Sequence, residues 1–209
     1  FSSEATFTTI GEVSSVPLNL DAMSIGTQSV TLTWDRPNVL NGLPITDYVI
    51  ERSLDGGTSW LEVPHDVPAL SKTFVVSGLG KGRAYLFRVK AVNAAGISKA
   101  SAPLSLTTGT TLPAAPTGLV LVDGWPTTDT VKVTWAAPVD RGGLAIRDYR
   151  IEYSRNGGKT WILVKHAPSP KRLLTLQGLV SGKTYKLRVK SVTAKGVSKT
   201  AVVIQFQTN

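Results

Sequence analysis

The sequence predicts an all-β protein made of two successive sandwich domains of about 95 residues each, and three observations predict it. The first is a repeat. Trp34 recurs as Trp135, Asp47-Tyr48 as Asp148-Tyr149, and Gly56-Gly57 with Trp60 as Gly157-Gly158 with Trp161, each pair 101 residues apart. A period of this length is a whole domain, not a solenoid unit of 20–50 residues. The second is strict alternation of apolar and polar residues in short runs, the mark of half-buried strands. The third is the spacing of turn signals between those runs, every 8–12 residues or so, with no ten-residue stretch of helical period.

Along the first repeat, Val30-Thr31-Leu32-Thr33-Trp34 alternates cleanly, and Tyr48, Ile50 and Arg52 share a parity. Tyr85, Phe87, Val89 and Ala91 then alternate with Leu86, Arg88, Lys90 and Val92, and Pro103 to Thr108 reads as the last strand. The second repeat follows with Val131 to Trp135, then Tyr149, Ile151 and Tyr153, then Tyr185, Leu187, Val189 and Ser191. Turns fall at Asn41-Gly42, Asp55-Gly56-Gly57, Lys81-Gly82, Asn156-Gly157-Gly158 and Ser181-Gly182, where Gly and Asn tolerate positive φ. Gly78-Leu79, Tyr85 and Arg88-Val89-Lys90 recur 100 residues on, so the second copy is one residue shorter between His65 and Gly78. A two-residue insertion in the second copy contains Trp125.

Composition narrows the function classes. There is no cysteine, hence no disulfide and no Cys-ligated metal, and no apolar run long enough to span a membrane as a helix. The chain starts at Phe1, and Ala5 to Thr9 resembles the strand ending the first repeat, so it reads as a piece of a longer protein. Residues 1–112 hold eight Lys/Arg and nine Asp/Glu, net −1; residues 113–209 hold fifteen and five, net +10. All the basicity lies in the second repeat.

The residues resemble the fibronectin type III family. The resemblance rests on Trp34 and Trp135, the proline-bearing loop after each (Pro37 and Pro44; Pro138), and the Ile-x-Asp-Tyr-x-Ile-Glu runs Ile45–Glu51 and Ile146–Glu152. It rests also on Leu79 with Tyr85, Leu179 with Tyr185, and the loops Asn93–Gly96 and Ala194–Gly196. The resemblance implies two tandem immunoglobulin-like, seven-stranded β-sandwiches, each with a tyrosine corner in which the Tyr hydroxyl bonds back to the chain. The expected organisation is the end of an upstream linker or repeat at 1–13, sandwiches at 14–109 and 116–209, and a linker at 110–115. Pro113 and Pro116 stiffen that linker and favour an extended rod. The Asp-Gly-Gly-x-x-Trp turn resembles bacterial members of the family.

No catalytic set is legible. His65 and His166 occupy equivalent positions, one per domain, as do Asp47/Asp148 and Glu51/Glu152, which suits structure better than an active site. No nucleophile elbow, zinc-protease motif, phosphate-binding glycine loop or Arg-Gly-Asp occurs. No cofactor is expected. Trp34 and Trp135 belong to the core by alternation, and Trp60 and Trp161 are expected at the sheet edge. Trp125, without a counterpart, either covers its own domain or is a partner contact.

Parity places the charge. If Tyr149, Ile151 and Tyr153 point inward with Tyr185, Leu187 and Val189, then Arg150, Glu152, Lys186, Arg188 and Lys190 point outward. The resemblance makes these strands neighbours, with Lys159 and Lys165 flanking the next one. On the first repeat's equivalent face, Val49 and Leu86 stand where Arg150 and Lys186 do. Two functions follow as expectations. One is a non-catalytic spacer or adhesion segment of an extracellular or cell-surface, bacterial protein, monomeric as a fragment, whose partners are its neighbouring domains. The other is a binding module in which Arg150, Lys186, Arg188, Lys190, Lys159, Lys165 or Trp125 meets an anionic polysaccharide, a cell-wall polymer or a protein. Nucleic acid is disfavoured because no aromatic platform interleaves with the basic positions, and insertion into a membrane is not expected.

Overall fold

The structure is a computed structural model that describes residues 11–65 and 70–209. The strand expected at Ala5–Thr9 lies outside those residues, as does part of the stretch between His65 and Gly78 where the second repeat is shorter. The chain divides into two compact units, 1–109 and 110–209.

In the first unit, alternation produces β1 (Leu18–Ile25), β2 (Val30–Asp35), β3 (Asp47–Ser53), β4 (Leu61–Glu62), β5 (Thr73–Val76), β6 (Ala84–Asn93), β7 (Gly96–Ile97) and β8 (Leu104–Thr107). One sheet runs β1-β2-β5; the other runs β4-β3-β6, with β7 and β8 both on the far side of β6. The second unit repeats this with β9 (Thr117–Leu121), β10 (Val131–Ala136), β11 (Asp148–Ser154), β12 (Ile162–Leu163), β13 (Leu173–Leu176), β14 (Thr184–Thr193), β15 (Gly196–Val197) and β16 (Val202–Gln207). Its sheets are β9-β10-β13 and β12-β11-β14, with β15 and β16 on the far side of β14. Each unit is the expected seven-stranded sandwich once β7 with β8, and β15 with β16, are taken as one interrupted strand.

Inward residues of both sheets form each core. Leu32, Val76, Phe87 and Val89 in the first unit, and Val131, Val133, Leu187 and Val189 in the second, are fully buried. Each such side chain stabilises its sandwich by about 1.5–3 kcal/mol relative to exposure. Trp34 meets Tyr48 edge-on at 5.3 Å between ring centroids, and Trp135 meets Tyr149 at the same distance. The tyrosine corners form as expected: the Tyr85 hydroxyl accepts the Gly80 N–H at 2.8 Å, and the Tyr185 hydroxyl accepts the Val180 N–H at 2.8 Å.

Departures from regular strand geometry also repeat. Asn19 (φ 51°) and Gly118 (φ 60°) mark a ladder irregularity in β1 and β9. They lie 99 residues apart, whereas the tryptophans Trp34 and Trp135 lie 101 apart, which brackets the two-residue insertion around Trp125. Between β7 and β8 the regular ladder breaks, and backbone and side chain share the pairing with β6: Ser98 N–H donates to Ala91 O and Ser101 N–H to Val89 O, each at 2.8 Å, while Ser98 Oγ accepts the Ala91 N–H at 2.9 Å and Ser101 Oγ the Val89 N–H at 3.1 Å.

The residues read as a linker are attached to the second sandwich. Thr111 N–H donates to Gly142 O at 2.9 Å, Ala114 N–H donates to Asp140 O at 2.8 Å, and Pro113 is buried. A Cβ on Gly142, itself at φ 71°, would collide with the Thr111 carbonyl oxygen. The first unit has the same lead-in, where Ser15 N–H donates to Val39 O at 2.9 Å.

Candidate interaction face

The outward side of the five-stranded sheet carries the charged residues singled out by parity. Antiparallel register sets Glu152 opposite Arg188, Arg150 opposite Lys190, and Ser154 opposite Lys186. The equivalent rows in the first unit are Glu51 with Arg88, Val49 with Lys90, and Ser53 with Leu86.

Each face is organised around one covered glutamate. Arg88 Nε donates to Glu51 Oε2, and Lys90 Nζ donates to Glu51 Oε1 at 2.9 Å. Glu152, 4% exposed, is gripped by Arg188 Nε on Oε2 at 2.6 Å and by Arg150 on Oε1, 3.0 Å from Nη2 and 3.2 Å from Nε. Burial alone would raise both carboxyls above their ordinary range. The hydrogen bonds and charges of the flanking cations outweigh it and leave both lowered.

Parity places four cations, Arg150, Lys186, Arg188 and Lys190, on the outward side of the second face together with Glu152. Two of them, Arg150 and Arg188, share the single negative charge of Glu152, which leaves the three together with a net charge of +1. Parity says which way a side chain leaves the strand, but not which cross-strand neighbour it folds onto. Arg150 holds Glu152 as Lys90 holds Glu51, and this releases Lys190, which has no carboxylate partner among the described residues. Lys186 is likewise unpaired, and a Cβ on Gly158 would meet its Cδ at 3.6 Å, so its stem crosses the Gly-Gly turn where Leu86 crosses Gly57. Lys159 and Lys165 are exposed on either side of β12.

The expectation that no aromatic interleaves with the basic positions is corrected. Trp161 lies on the face, not merely at the sheet edge, with the Arg188 guanidinium 4.1 Å above its ring; Arg88 sits 4.0 Å over Trp60. The Gly-Gly turn folds the indole back into this position. Trp60 Nε1 donates to Gly57 O at 2.9 Å, and glycines at φ 72° and 94° make the turn possible. Asp55 closes it by accepting the Ser59 N–H, at 2.9 Å, and its hydroxyl; these bonds hold its carboxyl well below the ordinary range. Asn156 does the same for Thr160 N–H at 2.9 Å in the second unit. Trp125 is half-buried; its backbone N–H donates to Val122 O at 3.1 Å, and its ring stacks on no aromatic or cation among the described residues.

The repeated histidines and aspartates are structural. His65 Nε2 lies 3.1 Å from Tyr48 O and His166 Nε2 lies 3.0 Å from Tyr149 O, tying the chain after β4 and β12 to the central strand. Asp47 Oδ1 accepts the Tyr48 N–H at 2.7 Å, and Asp148 Oδ1 accepts the Ser169 N–H at 3.1 Å. Among the described residues no group of three or more His, Asp and Glu could hold a metal ion, and no helix is long and apolar enough to cross a membrane.

Comparison with known proteins agrees with this architecture. The profile of the fibronectin type III domain matches residues 15–107 and again 114–207. Chicken fast-type myosin-binding protein C is 32% identical over 198 residues, covering 93% of this chain and 17% of that protein. Chicken M-protein of striated muscle is 34% identical over 186 residues, covering 88% of this chain and 12% of that protein. The chain thus spans less than a fifth of the length of these relatives. The crystal structure of chicken CNTN1 FN1–FN3 domains matches with a TM-score of 0.59 at 22% identity, over 93% of this chain and 67% of that one, a likeness of fold alone.

Proposed function

Because the chain belongs to the fibronectin type III family, with two of its domains in tandem, we propose that it is a non-catalytic structural and binding segment of a larger protein. The observation that carries this is the repetition of every candidate for chemistry. Histidine, aspartate and glutamate recur in both domains; in both, the histidine ring meets the carbonyl of the central-strand tyrosine, the aspartate accepts a backbone N–H, and the glutamate is held by two cations. A name among the relatives speaks of binding another protein, myosin, which suits a segment whose partners are proteins. The test is replacement: in the parent protein, an unrelated two-domain sandwich of equal length should preserve function if spacing is the task. Loss of function would assign this segment a surface of its own.

A second proposal has its own support, the +10 charge of residues 113–209 and the unpaired Lys186 and Lys190. It is that the second domain attracts an anionic partner, with Arg150, Arg188, Lys159, Lys165 and Trp125 around the contact. Such attraction is salt-sensitive. The chain should bind a sulfonate resin, and Lys186→Leu with Lys190→Gln should elute at clearly lower salt. Unchanged elution would remove these lysines from the contact. A bacterial, extracellular parent is a further proposal supported only by the Asp55–Trp60 turn; the vertebrate relatives add nothing to it, and fractionation of the source cells tests it.

A further inference from the structure

A groove of about 500 Å³ lies on the outward side of the second domain, beside Arg150. Its floor is apolar, formed by Leu163, Val192 and Val197, and its rim carries Arg150 and Lys165. Lys190 stands directly across the ladder from Arg150. Asp148 also lines the groove, but its Oδ1 is occupied by the Ser169 N–H and lies 3.8 Å from His166 Nδ1. Arg150 spends Nε and one terminal nitrogen on Glu152 and keeps its remaining donors. Its side chain is 49% exposed.

The first domain is an internal control. At the same positions it has Val49 for Arg150, Glu62 for Leu163 and Pro64 for Lys165. All three exchanges act in one direction: two add a cation to the rim, and the third removes a carboxylate and adds apolar floor. Leu163, whose cross-strand partner is Glu152, is thereby left 49% exposed in a lining it shares with Arg150 and Lys165.

We infer that this groove docks an acidic protein segment whose apolar side chains lie next to its carboxylates. The floor accepts the apolar groups, and Arg150, Lys165 and Lys190 accept the carboxylates. An extended segment suits this layout because residues two apart share a face and lie about 7 Å apart, so an apolar residue and the acidic residue two positions on both reach the groove. A sulfated polysaccharide would leave the apolar floor unused, and the one aromatic on this face, Trp161, is already covered by Arg188. The inference deepens the proposal of an anionic partner and rests on it. Resin retention reads total charge and can hold while the groove fails.

The test is fluorescence anisotropy with the intact chain and a fluorescein-labelled peptide of about twelve residues with the repeat Glu-Ser-Val-Ser, which as a strand presents Glu and Val in turn on one face and is long enough to span the groove. Controls are an all-Glu peptide of equal length and a heparin oligosaccharide as competitor. The mixed peptide should bind at least about tenfold more tightly than the all-Glu peptide. Arg150→Val with Leu163→Glu, residues the same fold carries in the first domain, should weaken it by a similar factor, and so should Lys165→Glu alone. Lys132→Ala, on β10 of the opposite sheet, should not. Equal binding of the two peptides, undiminished binding by the groove variants, or preferential binding of heparin would each overturn the inference.

Discussion

Arg188 lies over Trp161, 4.1 Å from its ring, while its Nε donates to the covered Glu152 at 2.6 Å. One guanidinium thus caps an indole and compensates a carboxylate that has little access to water. Removing one partner of such a pair leaves a buried charge and costs about 3 kcal/mol or more. Arg188→Leu should lower the melting temperature of the second domain by roughly 10 °C or more, read by calorimetry, with the first domain unmoved. Trp161→Ala should cost less, about 1–2 kcal/mol from the cation–π contact together with some lost packing.

Arg150→Val should be far milder. The first domain carries Val49 at this position and holds Glu51 with Lys90 instead. Lys190 occupies the corresponding place opposite Arg150 and can take over Glu152. A loss under about 1 kcal/mol in urea denaturation is expected. A loss as large as that of Arg188→Leu would mean that Lys190 cannot make the exchange.

Tyr85→Phe and Tyr185→Phe each delete an acceptor and orphan one backbone N–H, on Gly80 and Val180 respectively. Each should destabilise its own domain by about 1–3 kcal/mol and leave the other unchanged. Equal shifts of both transitions would contradict two independent corners.

Acid should destabilise both domains in a defined direction. Glu51, Glu152 and Asp55 are all lowered in the folded chain, so the unfolded chain binds more protons in acid. Their stabilisation is complete above the ordinary carboxylate values of about 4 and is lost as pH falls through the lower, folded values. Asp55→Asn copies Asn156 of the second domain and should leave the first domain less sensitive to acid, as measured by melting temperature from pH 5 down to pH 2. An unaltered pH profile would dismiss Asp55 as a contributor.

Much of the fold was legible because burial selects by parity. Val30, Leu32 and Trp34, like Val131, Val133 and Trp135, announced their strands; the corners at Tyr85 and Tyr185 came instead from the family resemblance. The charged face was legible only in part. Arg150, Lys186, Arg188 and Lys190 do share a side of the sheet. Yet whether Arg188 is a free cation or a lid over Glu152 and Trp161 depends on register and rotamer, which a strand pattern does not encode. The groove depends on Leu163 and Lys165, residues in and just after a two-residue strand too short to show alternation. The attachment of Thr111 to Gly142 was hidden for another reason: prolines in a short connector signal stiffness, not the surface on which it lies.

The breaks between β7 and β8 and between β15 and β16 bear on how a chain with the same sandwich twice avoids misassembly. Two nearly interchangeable folding units on one polypeptide invite strand exchange, both within a molecule and between molecules. Edge strands are where such exchange begins, since they offer unpaired amides in a row. Here that row is cut short: Ser98 and Ser101 turn their hydroxyls onto the strand behind them, Pro103 removes a donor, and Lys199 adds charge in the matching gap of the second domain. The interruption spends a few ladder bonds and in return gives each copy an edge that its twin cannot easily extend.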